Sequence, residues 1–431
     1  MGRIKQLDDL KWGSIKSFVK NYAAVGGKKD PDTNNFILSK NMRLRIARYK
    51  EITEFNNNVI VIGNAGAGKT RLYVKPNILQ RSMSYVVTDK SGVLYNELSS
   101  LFKSSGYTVK ILNSLDPERS DYYNPMAYVR EPDDINDMST AILASDNNEV
   151  YYQNVKRSLL NAIIGYVFFF ADSKQKTLKM IKMLLDEMEC TANDSGDNWK
   201  IKPNDDLDRR FLEVEATEPD NMALHQYETF RIMCGSDKAS IVNQLKRTIE
   251  ALSAGVIDRS GDMDSLELDK LGDSKHILFI VRPNTGVNAE LPALLYTQVF
   301  MALFGKAQKE PLNYPVHCMM NDFPENGKIH DFPRLLLSMK KYDISCSIIV
   351  QNIDQIRAMY KDMWQTLIRN CSMQVYLGGR DQETIDYIIN TLNETKGKIA
   401  GTVSKTQLDD MSDDDCIVIA TGAEAYLDEK Y

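Results

Sequence analysis

The chain has 431 residues, of which 43% are hydrophobic and 26% charged, and its formal net charge is −6. This composition predicts a soluble globular protein of two or three domains. It excludes a surface that is basic throughout, and the most apolar run, residues 162–171, has about half the length that a bilayer span requires. The six cysteines are scattered without a C-x-x-C pair, so we expect reduced thiols in a cytosolic compartment, with neither disulfides nor a zinc site.

The N-terminal segment, residues 1–50, differs in charge from the rest of the chain. It holds twelve Lys and Arg against four Asp, a net charge of +8, which leaves about −14 on the remainder. Such a basic arm could contact phosphate, anionic lipid or an acidic neighbour. The alternative is a solvated and partly flexible terminus, and residues 26–35 have the composition of a loop.

An apolar strand followed at once by a glycine-rich turn is the most informative stretch of the chain. Residues 59–62 are all β-branched, and residues 63–70 fit the pattern G-x-x-x-x-G-K-[ST] of phosphate-binding loops. Backbone N–H groups can wrap a phosphate only where residues tolerate unusual backbone angles and lack bulky side chains. Lys69 would reach the β- and γ-phosphates, and the Thr70 hydroxyl would bind Mg²⁺. The sequence therefore predicts an ATP site formed by Gly63, Asn64, Ala65, Gly66, Ala67, Gly68, Lys69, Thr70 and Arg71.

Strands and helices alternate after this loop. We predict a helix over residues 71–80, a strand over 84–89, a helix over 93–105 and a strand over 108–112. A β-α-β-α-β alternation is typical of a parallel sheet with helices on both faces. These elements define the first part of a nucleotide-binding domain, residues 51–131.

The alternation stops between residues 132 and 273, where helical periodicity replaces it. We predict an all-α domain inserted into the α/β domain, with a polar, acidic loop over residues 193–208. Its helices are expected over residues 137–145, 151–170, 178–189, 223–234 and 237–254.

Strands return in residues 274–431, which form the second part of the nucleotide-binding domain. The predicted fold class is therefore α/β, a P-loop NTPase domain with a mostly parallel sheet and an inserted all-α domain. Strands are expected over residues 276–281, 316–320, 344–350, 373–377 and 416–420, and helices over residues 290–308, 332–341, 353–368 and 382–392.

Several ordered motifs resemble those of the TraG-type coupling ATPases of bacterial conjugation and type IV secretion. The resemblance covers roughly residues 40–395 and a final strand. It implies a RecA-like motor domain with an all-α insertion, a hexameric ring, and DNA or protein substrates handled at the inner face of the cytoplasmic membrane. Besides the phosphate loop, the motifs are Val86-Val-Thr-Asp89-Lys-Ser-Gly92, Tyr123-Asn-Pro-Met-Ala-Tyr128, Asn326-Gly-Lys-Ile, Ile348-Ile-Val-Gln351-Asn, Tyr360-Lys-Asp-Met-Trp364 and Leu377-Gly-Gly379-Arg-Asp-Gln382.

The second nucleotide motif departs from this family, which usually has Asp-Glu-Phe where this chain has Asn321-Asp322-Phe323. In the family the first carboxylate anchors Mg²⁺ through water, and the second activates the attacking water. Asn321 lacks the charge, and Asp322 is shorter than Glu by one methylene. In an alternative register Asp322 anchors the metal and no glutamate follows it. ATP and Mg²⁺ are the implied cofactors, with Thr70, Asn321 and Asp322 as the implied metal residues.

The implied catalytic set is Lys69, Asp322 and Gln351. Gln351 ends an apolar strand, where its side chain could sense the γ-phosphate or could simply be a polar strand end. Arg369 and Arg380 are candidate arginine fingers for a neighbouring subunit, or ordinary surface residues.

Four further residues have both a functional and a structural interpretation. Asp89 could line the nucleotide cleft or an inter-subunit cleft, or it could cap a helix. Trp364, Tyr151 and Tyr152 could stack on nucleic-acid bases or pack in the protein interior.

The leading hypothesis is a coupling ATPase that recruits single-stranded DNA with its relaxase, or protein substrates, and passes them to the secretion channel. One alternative is a hydrolysis-poor adapter of the same system; a small-molecule kinase is disfavoured by the ordered motifs. The family carries transmembrane helices before a segment resembling residues 11–14, so we expect a separate membrane partner or a missing anchor.

The expected location is the bacterial cytoplasm at the inner face of the membrane. We expect a monomer in isolation and a homo-hexamer when assembled.

Overall fold

The computed structural model describes residues 7, 10, 12–23, 35–48, 51, 53–144, 146, 148–188, 205–282, 290–395 and 403–431. Most of the two predicted loops, residues 26–34 of the loop at 26–35 and residues 193–204 of the loop at 193–208, lies outside the described residues, as does Cys190. The cysteines within the described part of the chain are buried and form no disulfide bonds: Cys234, Cys318, Cys346, Cys371 and Cys416.

Part of the basic N-terminal segment is folded onto the body of the protein. It forms helix α1 (Ile15–Tyr22) and an antiparallel pair of short strands, β1 (Asn35–Ile37) and β2 (Arg43–Arg45). The fully buried ring of Phe18 on α1 lies 5.0 Å from the ring of Tyr426 near the C-terminus. The described part of this segment is therefore an integral layer of the fold.

The phosphate-loop region has the predicted strand–loop–helix order. Strand β3 (Val59–Ile62) is fully buried, as expected for a strand covered on both faces. The helix after the loop begins with six residues of π-helix, Lys69–Val74, a wide turn that is rare and concentrates at functional sites. It continues as α2 (Lys75–Leu79), and β4 (Ser84–Lys90), α3 (Val93–Ser104) and β5 (Thr108–Asn113) follow.

The described residues from 132 to 260 form helices and no strand. In chain order these are α4 (Pro132–Ile142), α5 (Val150–Phe170), α6 (Leu178–Asp186), α7 (Asp206–Thr217), α8 (Met222–Cys234), α9 (Lys238–Ser253) and α10 (Val256–Ser260).

Helix α7 corrects the prediction, because it begins inside the stretch that the sequence analysis assigned to a loop. The buried Asp205 carboxylate caps it by accepting a hydrogen bond from the N–H of Asp208 at 2.8 Å. Leu207, Phe211 and Val214 then form one buried face at helical spacing. Of the acidic residues assigned to the loop, Asp205 is the cap of this helix, and Asp206 and Asp208 lie in its first turn.

The second α/β part contains the predicted elements and three differences. The predicted helix over residues 353–368 is two helices, because the chain breaks at Lys361, where φ is 41°. The short helix α16 and the last strand, β11, were not predicted. The elements are β6 (His276–Arg282), α11 (Glu290–Lys309), β7 (Val316–Met320), α12 (Phe332–Met339), β8 (Ile344–Val350), α13 (Ile353–Tyr360), α14 (Trp364–Arg369), β9 (Met373–Tyr376), α15 (Gln382–Glu394), α16 (Lys405–Asp409), β10 (Asp415–Ala420) and β11 (Ala425–Glu429).

Within the described residues, nine strands form one sheet in the order β11-β10-β9-β3-β8-β7-β4-β6-β5. All neighbours are parallel except β10, which pairs antiparallel with both β9 and β11. The predicted, mostly parallel sheet is confirmed. Because β3, β8, β7, β4 and β6 run in one direction, the segments that follow them meet at a single edge.

Hydrophobic layers cover both faces of the sheet. On one face, Ile60, Val86 and Leu278 belong to the same continuous core as helices α4 to α11. On the other face, Val59 and Tyr85 pack with α1 to α3 and the two N-terminal strands. The all-α segment therefore shares its core with the sheet. The domain boundaries predicted near residues 132 and 273 stay predictions.

His317 on β7 is a fully buried histidine with polar partners. Its Nδ1 lies 2.7 Å from the Ser345 hydroxyl and its Nε2 lies 2.8 Å from the Ser347 hydroxyl. The Phe36 ring of β1 covers it at 4.6 Å. Burial lowers the pKa of His317 to about 3, so the folded protein holds this ring neutral.

This histidine should make the protein less stable at acid pH. The unfolded chain takes up a proton at His317 near pH 6.5, whereas the folded chain takes it up only near pH 3. The free energy of unfolding should therefore fall below pH 6.5, with a slope of about 1.4 kcal/mol per pH unit from this residue. Urea unfolding between pH 7 and pH 5 should show a shallower slope in His317→Asn, although that variant is less stable overall. His225→Asn removes an exposed histidine and should keep the wild-type slope; equal slopes in all three proteins would contradict the assignment.

Candidate nucleotide-binding site

The loop between β3 and the π-helix has the backbone conformation that a phosphate-binding loop requires. Gly66 and Gly68 have φ of 84° and 89°, left-handed values that favour glycine. A Cβ at Gly68 would lie 2.5 Å from the Leu72 side chain, whereas the space beside Gly66 is open. The loop therefore needs glycine at both positions and leaves room for a ligand at Gly66.

Strand ends on both sides hold this loop in place. The N–H of Gly63 donates to the Val350 carbonyl at the end of β8 (3.2 Å), and the N–H of Asn64 donates to the Gly378 carbonyl after β9 (3.1 Å). Gln351 follows Val350 directly, so the structure places it at the edge of the phosphate loop. Its role as a γ-phosphate sensor stays a prediction.

Lys69 is buried at the base of the loop. Its Nζ donates hydrogen bonds to the carbonyls of Gly63 (2.7 Å) and Asn64 (2.9 Å). Burial lowers the pKa of Lys69, and the neighbouring Asp322 carboxylate opposes that shift. A desolvated ammonium with so little compensating charge favours the approach of an anion.

The second motif faces the start of the π-helix. Asn321 Nδ2 donates to the Thr70 hydroxyl at 3.4 Å, while Asn321 Oδ1 is buried without a hydrogen-bond partner. A buried acceptor without a partner indicates a site for water or a hydrated ion. The hydroxyl of Thr70, the amide oxygen of Asn321 and the carboxylate of Asp322 are the oxygen donors that Mg²⁺ prefers. These residues therefore fit a magnesium ion.

A group of three charged side chains next to this motif was missed by the sequence analysis. Glu325 forms an ion pair with Arg282, the last residue of β6, and its other carboxylate oxygen lies 3.4 Å from the Nζ of Lys90, the last residue of β4. We refer to these three residues as the Glu325 cluster. The sequence offered only the positions of these residues as a signal. Lys90 and Arg282 end two parallel strands, and Glu325 lies just beyond β7, which pairs with β4.

Asp89 is a helix cap. Its buried carboxylate accepts hydrogen bonds from the N–H groups of Leu94 (3.1 Å) and Tyr95 (2.7 Å) at the start of α3. These bonds support the interpretation of Asp89 as a helix cap. Arg369 and Arg380 are exposed, and their roles as arginine fingers stay predictions.

The aromatic candidates make contacts within the protein. The Trp364 ring lies 5.9 Å from the Tyr387 ring and 4.6 Å from the Arg357 guanidinium. Tyr151 and Tyr152, at the start of α5, donate hydrogen bonds to the Met233 carbonyl and the Asp237 carboxylate. Packing explains Trp364, whereas Tyr151 is still 50% exposed.

The parallel sheet and the loop that carries Lys69, opposed by the Asn321-Asp322 motif, define a RecA-like P-loop NTPase. The chain matches the family model for conjugative DNA transfer by the type IV secretory system over residues 14–415. It belongs to that family, which confirms the resemblance to the coupling proteins. A comparison with curated proteins finds no match.

Solved structures of the plasmid coupling protein TrwB share this fold. The unbound monoclinic form of TrwBdeltaN70 aligns with a TM-score of 0.67 and 14% identity, over 98% of this chain and 93% of that one. TrwB with the non-hydrolysable ATP analogue ADPNP gives 0.65 and 15%, over 94% and 90%. TrwB with ADP and Mg²⁺ gives 0.61 and 15%, over 87% and 84%. At these identities the likeness establishes the fold.

Membership of this family makes the chain a coupling protein of conjugation, with DNA and secretion-system components as its partners. None of the helices in the described part of the chain has the length and hydrophobicity needed to cross a bilayer.

Proposed function

We propose that this chain binds ATP with Mg²⁺ and uses ATP hydrolysis to deliver single-stranded DNA with its relaxase, or protein substrates, to the secretion channel. One observation carries the proposal: the buried ammonium of Lys69 lies beside the Asp322 carboxylate, and Asn321 contacts the Thr70 hydroxyl at the mouth of the same loop. The complexes of TrwB with ADPNP and with ADP and Mg²⁺ support the choice of cofactors.

Each residue has a separate task in this assignment. Lys69 binds the β- and γ-phosphates, and the backbone of residues 63–71 surrounds them. The Thr70 hydroxyl and the Asn321 amide oxygen would hold Mg²⁺. Asp322 orients the attacking water, and Gln351 senses the γ-phosphate. Bound Mg²⁺ supplies charge neutralisation of the phosphates.

A second candidate function, a nucleotide-binding adapter that hydrolyses ATP poorly, is favoured by the Asn321 amide. The Asn321 amide donates a hydrogen bond to the Thr70 hydroxyl. At this position the family usually has an aspartate, whose carboxylate would place a negative charge next to Thr70. Without that charge, nucleotide binding persists through Lys69 while turnover falls.

Steady-state ATP hydrolysis with and without single-stranded DNA tests the proposal. We expect slow hydrolysis that single-stranded DNA stimulates and that Lys69→Ala abolishes. ATP binding without any Lys69-dependent hydrolysis would favour the adapter. If ATP does not bind, both candidate functions are wrong.

Location and assembly follow from the same proposal. We place the protein in the bacterial cytoplasm at the inner face of the membrane, held by a separate membrane partner or an anchor. The exposed Lys16 and Lys20 on α1 support a basic surface for phosphate or anionic lipid. The isolated chain is a monomer, because contacts between such domains are modest and polar. A homo-hexamer forms on assembly.

A further inference from the structure

The turn that carries Asp322 is held in an unusual conformation. Asp322 has φ of 47° and ψ of 51°, in the left-handed region that L-residues other than Asn and Asp rarely adopt. Its carbonyl accepts a hydrogen bond from the N–H of Glu325 at 2.9 Å, which closes a short 3₁₀ turn, Phe323–Asn326. The direction of the Asp322 carboxylate therefore depends on what holds this turn.

Two side chains anchor the turn on different partners. The buried Phe323 ring packs against the rings of Phe332 (5.3 Å) and Tyr360 (6.1 Å). Glu325 is fixed by the charges of Arg282 and Lys90. The first anchor is apolar packing; the second is electrostatic and depends on the Glu325 charge.

The ionic anchor is stronger than an ordinary surface ion pair. The Arg282 side chain is only 7% exposed, so its charge is poorly screened by water and needs a carboxylate partner. Lys90 adds a second cation to the same carboxylate. Arg282 Nε and both amide atoms of Asn326 are buried without hydrogen-bond partners, so few other interactions fix this side of the turn.

We propose that Arg282 and Lys90, acting through Glu325, are positioning residues for the magnesium-binding and water-orienting residues Asn321 and Asp322. Loss of the Glu325 charge releases the turn, and Asp322 relaxes toward the extended conformation that most residues prefer. Its carboxylate then moves away from Lys69, and Asn321 moves away from Thr70. This inference rests on the proposed nucleotide function.

The test measures binding of the non-hydrolysable ATP analogue ADPNP by calorimetry, with Mg²⁺ and with EDTA in its place. In Glu325→Gln the affinity with Mg²⁺ should fall about tenfold, the usual loss when a residue that orients a metal site is removed. The affinity in EDTA should change less than about twofold, because the Lys69 ammonium and the loop backbone, which contact the phosphates directly, keep their positions. A merely structural role would lower both affinities together.

Matched variants make the result specific. Glu97→Gln breaks the exposed ion pair with Lys75 and should leave both affinities unchanged. Arg282→Met in the Glu325→Gln background should add no further loss, because both changes remove the same link. Lys90→Met leaves the ion pair of Arg282 with Glu325 intact and should give a smaller loss of the Mg²⁺-dependent affinity. If thermal unfolding shows that Glu325→Gln does not fold, Lys90→Met serves as the test.

Two outcomes separate this inference from the proposed function. The first outcome is that Lys69→Ala loses binding while folded Glu325→Gln keeps the wild-type Mg²⁺-dependent affinity; this would overturn the positioning role alone. Where Lys90→Met replaces Glu325→Gln, the same result in that variant has the same meaning. A wild-type protein that binds ADPNP no better than Lys69→Ala would overturn the proposed function, and the positioning role with it.

Discussion

Lys69→Ala should weaken ATP binding by roughly tenfold or more, since a charge-assisted contact to the β- and γ-phosphates is lost from a buried site. In the folded chain the Lys69 ammonium is bonded to the Gly63 and Asn64 carbonyls, inside the loop where the phosphates would bind. Calorimetric titration with ATP and Mg²⁺ measures the loss. Because burial lowers the pKa of Lys69, ATP binding should also take up a proton at alkaline pH.

The neighbouring lysine provides the control for this experiment. Lys75 is on the same helix, but its ammonium is paired with Glu97 on the exposed surface. Lys75→Ala should therefore keep the wild-type affinity. Equal affinities in the wild type and Lys69→Ala would show that the glycine-rich loop does not bind the phosphates.

The double change Asn321→Asp with Asp322→Glu should raise ATP turnover by about tenfold or more, because it restores the counter-charge of the metal and the reach of the water-orienting carboxylate. Wild-type turnover should lie below about 1 s⁻¹, at the bottom of the usual enzyme range. The nucleotide affinity should change much less than the turnover. Steady-state phosphate release and calorimetry measure the two quantities.

The backbone conformation at Asp322 is the reason for testing a second variant, Asn321→Asp alone. The φ of 47° at Asp322 suits Asp better than Glu, so part of the gain in the double variant is offset by strain. Asn321→Asp alone avoids this strain and should already raise turnover. Double and single variants that are no faster than the wild type would exclude the missing acidic pair as the limit on hydrolysis. A fast wild type would show that Asp322 holds the metal and would rule out the adapter.

Much of the α/β architecture could be predicted because its signals are local. Strand β3 and the loop after it occupy one short stretch, and the apolar runs of β7 and β8 are bounded by polar residues. The prediction failed where tertiary contacts decide the structure. Strand β11 has only five residues, and besides its antiparallel pairing with β10 it is held by Asp428, which accepts hydrogen bonds from Ser39 and Asn41 at the other end of the chain. No local pattern reports such a partner.

The functional site divides in the same way. The phosphate loop from Gly63 to Thr70 could be predicted without a structure, because its chemistry depends on residue types at fixed spacing along one segment. Three other features became visible once the chain was folded: Asp89 caps a helix, Asn321 contacts Thr70, which is 251 positions away in the sequence, and Glu325 bridges two cations. These contacts join the ends of separate parallel strands. Their distances are set by sheet order, which the spacing of residues along the chain does not encode.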